Sequence, residues 1–484
     1  MTTTATSRHD AGRAEQPGAT AGAALDADHW RQRLTELAAK HGVPGAGLAV
    51  LRVGADGGDD AVVEAAHGVL NTATGVEVTT DSAFQIGSIS KVWTATVVMQ
   101  LVDEGRLELD APLRDVLPEL EVADEDVAAR VTMRHLLTHT SGIDGDVFTD
   151  TGRGDDCVEK YVASLGEVPQ NHPLGATFSY CNTGFTIAGR VIEKLTGGTW
   201  DAAVRSRLFE PLGLSHASTL PEEAILGRAA VGHVGEPDEE PRPTPRWLLP
   251  RSLGPAGLIN ATALEVTQFA RMHLAGGVAA DGTRILSAEA VEQMQQPQTE
   301  LPDTHTLGDS WGLGWILFSW DGHRLIGHDG NTLGQAAFLR VLPEAGLAVA
   351  LLTNGGHAGD LFDELYAEVF DEVGGLAKPG RLQPADPAPE VDLGKHVGVY
   401  ERTSVRTEVL ERDGGLVLRT TSTDPLIDDD PENLTHEYAL HPVTDDLYVM
   451  RPPATVGWIP VTFYSLDDGT PYLHYGARAN PKRS

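Results

Sequence analysis

Apolar residues fall into two rhythms along this chain, one helical and one alternating. Trp30, Leu34 and Leu37 recur at helical spacing and predict a helix starting near Asp28. Gly45 to Val53 predicts a strand, with Ala61 to Ala66 as its hairpin partner. From Ser90 to Val102 the chain is apolar almost all round, including Val92, Trp93, Val97, Val98, Met99 and Leu101. A helix of that kind is buried on every side. Residues from about 110 to 300 read as helices joined by long loops. One loop, Gly235 to Pro250, carries prolines 237, 241, 243, 245 and 250 among acidic residues, which predicts an exposed segment placed to act as a lid.

From Gly314 the rhythm becomes β. GWILFSW, an Asp321-Gly322 turn and HRLIGHDG predict a hairpin, and GQAAFLRV, a PEAG turn and LAVALLTN add two more antiparallel strands. Strands at both ends of a helical middle predict a mixed α/β fold: one antiparallel sheet closed by both chain ends, with a helix Leu361 to Val373 across one face. Pro379 to Pro389 is a proline-rich, extended linker. Beyond it, short alternating segments punctuated by Gly, Asp and Pro predict a small all-β barrel or sandwich. The expected division is a disordered leader over 1–27, a main domain over 28–378, a linker over 379–392 and an all-β domain over 393–484. Few contacts are expected to cross the linker.

Charge narrows the function. Lys plus Arg number 36 against 70 Asp plus Glu, a net charge of −34. Such a surface repels phosphate backbones and anionic lipid, so neither nucleic acid nor a membrane is an expected partner. Two cysteines, Cys157 and Cys181, make no disulfide framework. No apolar run approaches the ~20 residues that span a bilayer, and the N-terminus lacks a basic region followed by an apolar one. The expected location is the cytoplasm. No Walker A sequence or dinucleotide fingerprint is present, so no cofactor is expected. His135 and His139 are four apart, but Leu136 stands where a zinc motif of this spacing has Glu, so no metal is expected either.

Three segments carry candidate chemistry. In FQIGSISK, helical spacing of three places the Ser88 hydroxyl and the Lys91 amine on one face, one turn apart. Burial of Lys91 in the apolar helix would favour its neutral amine, a base for a serine nucleophile. In TFSYCNTGF, Tyr180 can exchange a proton with a serine, and Asn182 can hold a carbonyl or orient the lysine. Cys181, between them, reads as small filler. In LIGHDGNTLGQ, His328 sits near a strand end, Gly330 permits close backbone approach, and the amide of Asn331 can pair with that of Ser88 as an oxyanion hole.

The order S-x-x-K, Y-x-N, H-x-G resembles the serine β-lactamase and penicillin-recognising superfamily, in the branch of class C β-lactamases, D-alanyl-D-alanine carboxypeptidases and related esterases. The segments Arg134 to Gly142, Gly254 to Leu258 and Gly312 to Trp315 resemble further hallmarks. The resemblance implies an antiparallel sheet flanked by helices plus an all-helical lobe, over about residues 28 to 375. It implies that Ser88 is acylated, that Lys91 and Tyr180 move the proton, and that Asn182 orients lysine and substrate. His328 stands where many relatives have the lysine of K-T-G. The β unit resembles the lipocalin-like module appended to many members.

The expected function is a serine hydrolase forming an acyl-enzyme with a small-molecule or peptidyl ester or amide. Alternatives are an acyltransferase or peptide cyclase on the same scaffold, or a penicillin-binding protein that acylates without turnover. In a further alternative the β unit reaches the cleft and Arg478 clamps a substrate carboxylate. With an ordinary histidine pKa of ~6.5, His328 is expected to strengthen carboxylate binding as pH falls through that value.

Overall fold

The computed structural model describes residues 25–54, 58–235, 240–247, 249–403, 405–422, 434–453, 455 and 457–484. The leader expected over 1–27 lies almost wholly outside the described residues. Helix α1 spans Ala27–Lys40 and is capped by Asp26, whose carboxylate accepts from the Asp28 and His29 amides.

The main sheet takes its strands from both ends of the domain. In chain order these are β1 Gly45–Arg52, β2 Ala61–Asn71, β3 Val76–Glu77, β4 Thr299–Glu300, β5 Ser310–Trp311, β6 Ile316–Trp320, β7 His323–Thr332, β8 Gln335–Leu342 and β9 Leu347–Thr353. Their spatial order is β3-β2-β1-β9-β8-β7-β6-β5-β4, antiparallel throughout. The first strand lies against the last, Leu48 opposite Leu351, so both chain ends close one sheet. The turn between β6 and β7 holds Asp321 and Gly322 at φ 51° and 81°, the left-handed pair that a tight two-residue hairpin requires.

Both faces of this sheet are covered, which is why β1 and β9 read as continuous apolar runs. On one face Leu48 and Val50 pack with Trp30, Leu34 and Leu361 of α1 and the C-terminal helix Ala358–Val369. On the other, Ala49 and Leu352 join the core built around α2, Ser90–Asp103. Every residue of α2 from Ser90 to Leu101 is buried, and Trp93 stacks on Phe269 at 4.2 Å. The helical lobe contributes α3, Asn182–Thr196, whose N-cap is Cys181: its sulfur accepts from the Gly184 amide.

The expected lid lies partly outside the described residues, at 236–239 and 248. Its described ends are tied down. Arg242–Pro243 pairs with His233–Val234, Trp247 Nε1 donates to the Ala230 carbonyl at 2.8 Å, and the Trp247 carbonyl accepts from Gln85.

Eight further strands, from Gly398–Arg402 to Arg478–Pro481, pair in sequence order as an antiparallel meander, and a Tyr400–Lys482 bridge nearly closes it into a barrel. Its interior is packed by Tyr400, Leu418, Tyr448, Met450, Phe463 and Leu473, so side chains occupy the space a ligand would need.

The expectation of few contacts across the linker is wrong. Arg381 pairs with Asp360 and Asp363. Tyr472 Oη donates to the Asn171 carbonyl at 3.2 Å, Thr462 Oγ1 to Asp303 at 3.0 Å, and the Thr403 amide to Asp144 at 3.1 Å. A proline-rich connection sets stiffness but not the surface on which the next strands settle. That surface is held by polar and backbone groups, which leave no period in the sequence.

Candidate active site

Ser88 sits in a 3₁₀ turn, Gly87–Ile89, that runs directly into α2. It is the one residue between Ser82 and Leu101 that is not buried. Two glycines bring this turn against β7. Gly87 is at φ 51°, and a Cβ there would lie 2.7 Å from the Asn331 amide nitrogen. A Cβ on Gly330 would lie 1.9 Å from the Ile86 carbonyl oxygen and 3.0 Å from the Ser88 nitrogen. The last β6 partner of β7 is Ile316, opposite Gly327. From His328 onward β7 therefore overshoots β6 and faces the Ser88 turn, where the Ser88 and Asn331 amides come close together.

Lys91 is fully buried. Its Nζ hydrogen-bonds to Ser88 Oγ at 3.0 Å and donates to the Ala256 carbonyl at 2.7 Å. It lies 4.8 Å from the centre of the Tyr180 ring. Burial, and then the nearby charge of Arg478, pushes its pKa well below the ordinary lysine value. Burial drives the Tyr180 phenol the other way, above its ordinary value, although a hydrogen bond with Ser88 holds part of that rise back. The Ala256 contact explains the Gly254 to Leu258 segment: the turn presents a carbonyl to the lysine.

The Arg134 to Gly142 segment is explained by His139. It is fully buried at φ 58°, accepts from the Cys181 amide through Nδ1 at 2.9 Å, and stacks on Tyr180 at 4.4 Å. The histidine props the tyrosine. Cys181 is inert: burial pushes its thiol to about 12.

Asn182 Nδ2 donates to Asp146 at 3.3 Å, and the second hydrogen bond of Lys91 Nζ goes to the Ala256 carbonyl. One expectation changes. His328 does not titrate near 6.5. It is 1% exposed, and burial, followed by the Lys91 charge, pushes it down to about 3. Its Nδ1 lies 2.6 Å from the Asp329 carbonyl, so Nδ1 carries the proton and Nε2 has its lone pair free. The ring is neutral and Nε2 is itself buried, so it offers a carboxylate no charge.

Asp146 was not visible in the sequence as a site residue; Arg478 was, but as a clamp for a substrate carboxylate and not as the partner of Asp146. The barrel's last turn enters the cleft, with the Tyr180 amide donating to the Ala477 carbonyl at 2.9 Å and the Ala479 amide to Ser179 Oγ at 3.2 Å. The Arg478 guanidinium lies 4.9 Å from the Tyr180 ring centre and pairs with Asp146. The hint to Asp146 was an acidic D-G-D one residue beyond the hallmark Ser141-Gly142 turn.

A cleft of about 910 Å³ adjoins the site at Asn331, between β7, the helix Ala358–Val369 and the barrel residues Trp458 to Pro460. Within its lining Arg340 pairs with Asp329 and Lys378 with Asp363. Neither Ser88 nor Lys91 lines it. Among the described residues no group of His, Cys, Asp and Glu could hold a metal ion, and no helix is long and apolar enough to cross a membrane.

Residues 30–372 match the family described as Beta-lactamase. The chain is 50% identical over 381 residues to penicillin-binding protein 4 of Amycolatopsis lactamdurans, covering 78% of this chain and 98% of that one. It is 27% identical over 332 residues to esterase EstB of Burkholderia gladioli, covering 61% and 83%. The crystal structure of SurE superimposes with a TM-score of 0.74 at 29% identity, over 94% of this chain and 99% of SurE, which has also been solved with D-Leu.

Proposed function

The chain belongs to the β-lactamase family, and from that premise we propose that it is a serine hydrolase that cleaves esters or amides through an acyl-enzyme on Ser88. The observation that carries this reading is the contact of Lys91 Nζ with Ser88 Oγ at 3.0 Å, made by a buried amine with a second hydrogen bond to the Ala256 carbonyl. Burial disfavours the ammonium form, so Lys91 is available as a base; burial also keeps the Tyr180 phenol protonated.

Those two directions support the following proton path. Lys91 takes the proton from Ser88 Oγ as the oxygen attacks the carbonyl carbon. The developing oxyanion accepts from the Ser88 and Asn331 amides. Tyr180 gives its proton to the leaving oxygen or nitrogen and regains one from the Lys91 ammonium. Water then attacks the acyl-serine, and the same groups run in reverse to release the acid.

The test is intact-mass analysis of wild type and Ser88→Ala against a fluorophosphonate, p-nitrophenyl esters, β-lactams and leucyl esters of both configurations. The leucyl pair follows from the D-Leu bound to SurE. We expect one adduct per chain in wild type and none in Ser88→Ala, with neutral esters turned over faster than β-lactams. An undiminished adduct in Ser88→Ala, mapped to Ser90 or Ser141, would overturn the assignment.

A further inference from the structure

The segment Ile143-Asp144-Gly145-Asp146 takes no part in the proton path above, yet it holds three parts of the molecule together. Asp144 is fully buried. One of its oxygens accepts from the Asp146 amide at 3.0 Å, the other from the Thr403 amide of the barrel at 3.1 Å. The Gly145 carbonyl accepts from the Asn182 and Thr183 amides at 3.1 and 3.3 Å, which fixes the start of α3 next to Tyr180. A side chain at Gly145 would lie 2.5 Å from the Cys181 Cα, so only glycine permits this approach.

Asp146 then gathers charge from the barrel. Arg478 pairs with it through Nε to Oδ2 at 3.1 Å and Nη2 to Oδ1 at 2.8 Å, and Arg402 Nη1 lies 2.8 Å from Oδ2. Two arginines from the first and last barrel strands thus meet one carboxylate of the helical lobe. Burial works against ionisation of that carboxylate, but the two guanidiniums outweigh it and hold its pKa at about 2. The remaining Arg478 contact, Nη1 to the Gly476 carbonyl at 2.8 Å, keeps the guanidinium folded back over its own turn and against the Tyr180 ring.

We propose that Asp146 is a positioning residue that pins the barrel's Arg478 against Tyr180, so that the barrel supplies a fixed cation to the wall of the Ser88–Lys91 site. The inference rests on the reading of Lys91 as the base. The groups facing Lys91 are Tyr180, Cys181, His139, His328, Asp146 and Arg478. Of these, His139 and His328 are held neutral by burial. Arg478 is then the cation that opposes a proton on Lys91, and Asp146 partly offsets it.

The test follows the pH dependence of Ser88 labelling by a fluorophosphonate in the full chain, from pH 5 to 9, with thermal melts as a fold check. Arg478→Gln removes the cation and leaves Asp146 paired with Arg402. Lys91 then keeps its proton to higher pH, and the acid limb of labelling should move up by about half to one unit. Arg478→Lys keeps the charge, so its limb should stay near that of wild type. Asp146→Asn should lower the plateau rate, and adding Arg478→Gln should lower it little further, because both changes break the same contact. Should Asp146→Asn fail to fold, as two uncompensated buried cations can cause, the two Arg478 variants carry the test by their limbs alone. An unmoved limb in Arg478→Gln, or equal limbs in Arg478→Gln and Arg478→Lys, would overturn the proposal, as would strictly additive losses. Labelling that survives Ser88→Ala would instead overturn the functional reading beneath it.

Discussion

The start of α2 and the last turn of the barrel both reach Tyr180, but they are built in opposite ways. Ser88 and Lys91 are three residues apart, and one turn of helix brings them together. Arg478 and Asp146 are 332 residues apart and meet only because a whole barrel docks on the helical lobe. The first arrangement is as stable as the buried helix that carries it. The second depends on polar contacts across the seam between the barrel and the helical lobe. Chemistry encoded locally is therefore expected to matter most, and the seam to tune it.

Lys91→Ala should give the largest effect. It removes the only amine that touches Ser88 Oγ among the described residues, and kcat/KM for a p-nitrophenyl ester should fall by about 10³-fold or more. A loss below tenfold would mean that another group takes the serine proton, and the local half of the comparison would fail.

Gly330→Ala comes next. The added methyl would sit 1.9 Å from the Ile86 carbonyl, so the strand and the nucleophile turn must separate. That separation opens the pair of amides assigned to the oxyanion, and losing one such donor costs about 10²-fold in kcat. The check is kcat on the same ester with the fold verified by circular dichroism. An active Gly330→Ala enzyme would show that the Asn331 amide is not part of the hole.

Residues within a few positions of each other were legible in the sequence for this reason. The S-x-x-K turn, the Y-x-N segment and the H-x-G strand each place their groups by local geometry, and apolar runs buried on both faces announced β1, β9 and α2. The role of Asp146 was not legible. A D-G-D after a turn is, from sequence, a solvated loop, and only the docked barrel makes it a counter-charge. Asn182 illustrates the same limit: the hydrogen bond that its Nδ2 makes to Asp146 left no mark in the sequence. The Pro379 to Pro389 segment signalled a change of unit but was silent about the seam beyond it.

A chain ending near Gly380 tests the seam directly. It removes the Ala477 carbonyl from the Tyr180 amide and Arg478 from Asp146, and it strips the partners of Asp144 and Asp303. Ser88 labelling should slow by about tenfold, worth about 1.4 kcal/mol of transition-state stabilisation, with a lower melting temperature. Full-rate labelling by the shortened chain would reduce the barrel to an appendage. A loss as large as that of Lys91→Ala would erase the distinction between the two regions.

The smallest expected effect on activity is at His328, where the two kinds of encoding disagree. From sequence it has an ordinary histidine pKa; in place, burial and the Lys91 charge hold it at about 3. It should add no inflection to the ester pH profile between 5.5 and 8, and carboxylate-bearing substrates should gain nothing from His328 as pH falls. Its signature belongs to stability instead. A folded pKa below the unfolded one means the unfolded chain binds the proton more readily, so the stabilisation is complete above about 6.5 and is lost as pH falls toward 3. At pH 5 the loss attributable to this one ring is about 2 kcal/mol, from 1.36 kcal/mol per pH unit below the reference value of ~6.5. Urea unfolding of wild type and His328→Gln at pH 7 and pH 5 isolates it, because the other buried histidines are common to both chains. The stability drop between the two pH values should be smaller in His328→Gln by about that amount. Equal drops would mean that His328 already carries its proton when folded at pH 5, and would restore it as a cation available to an anionic substrate.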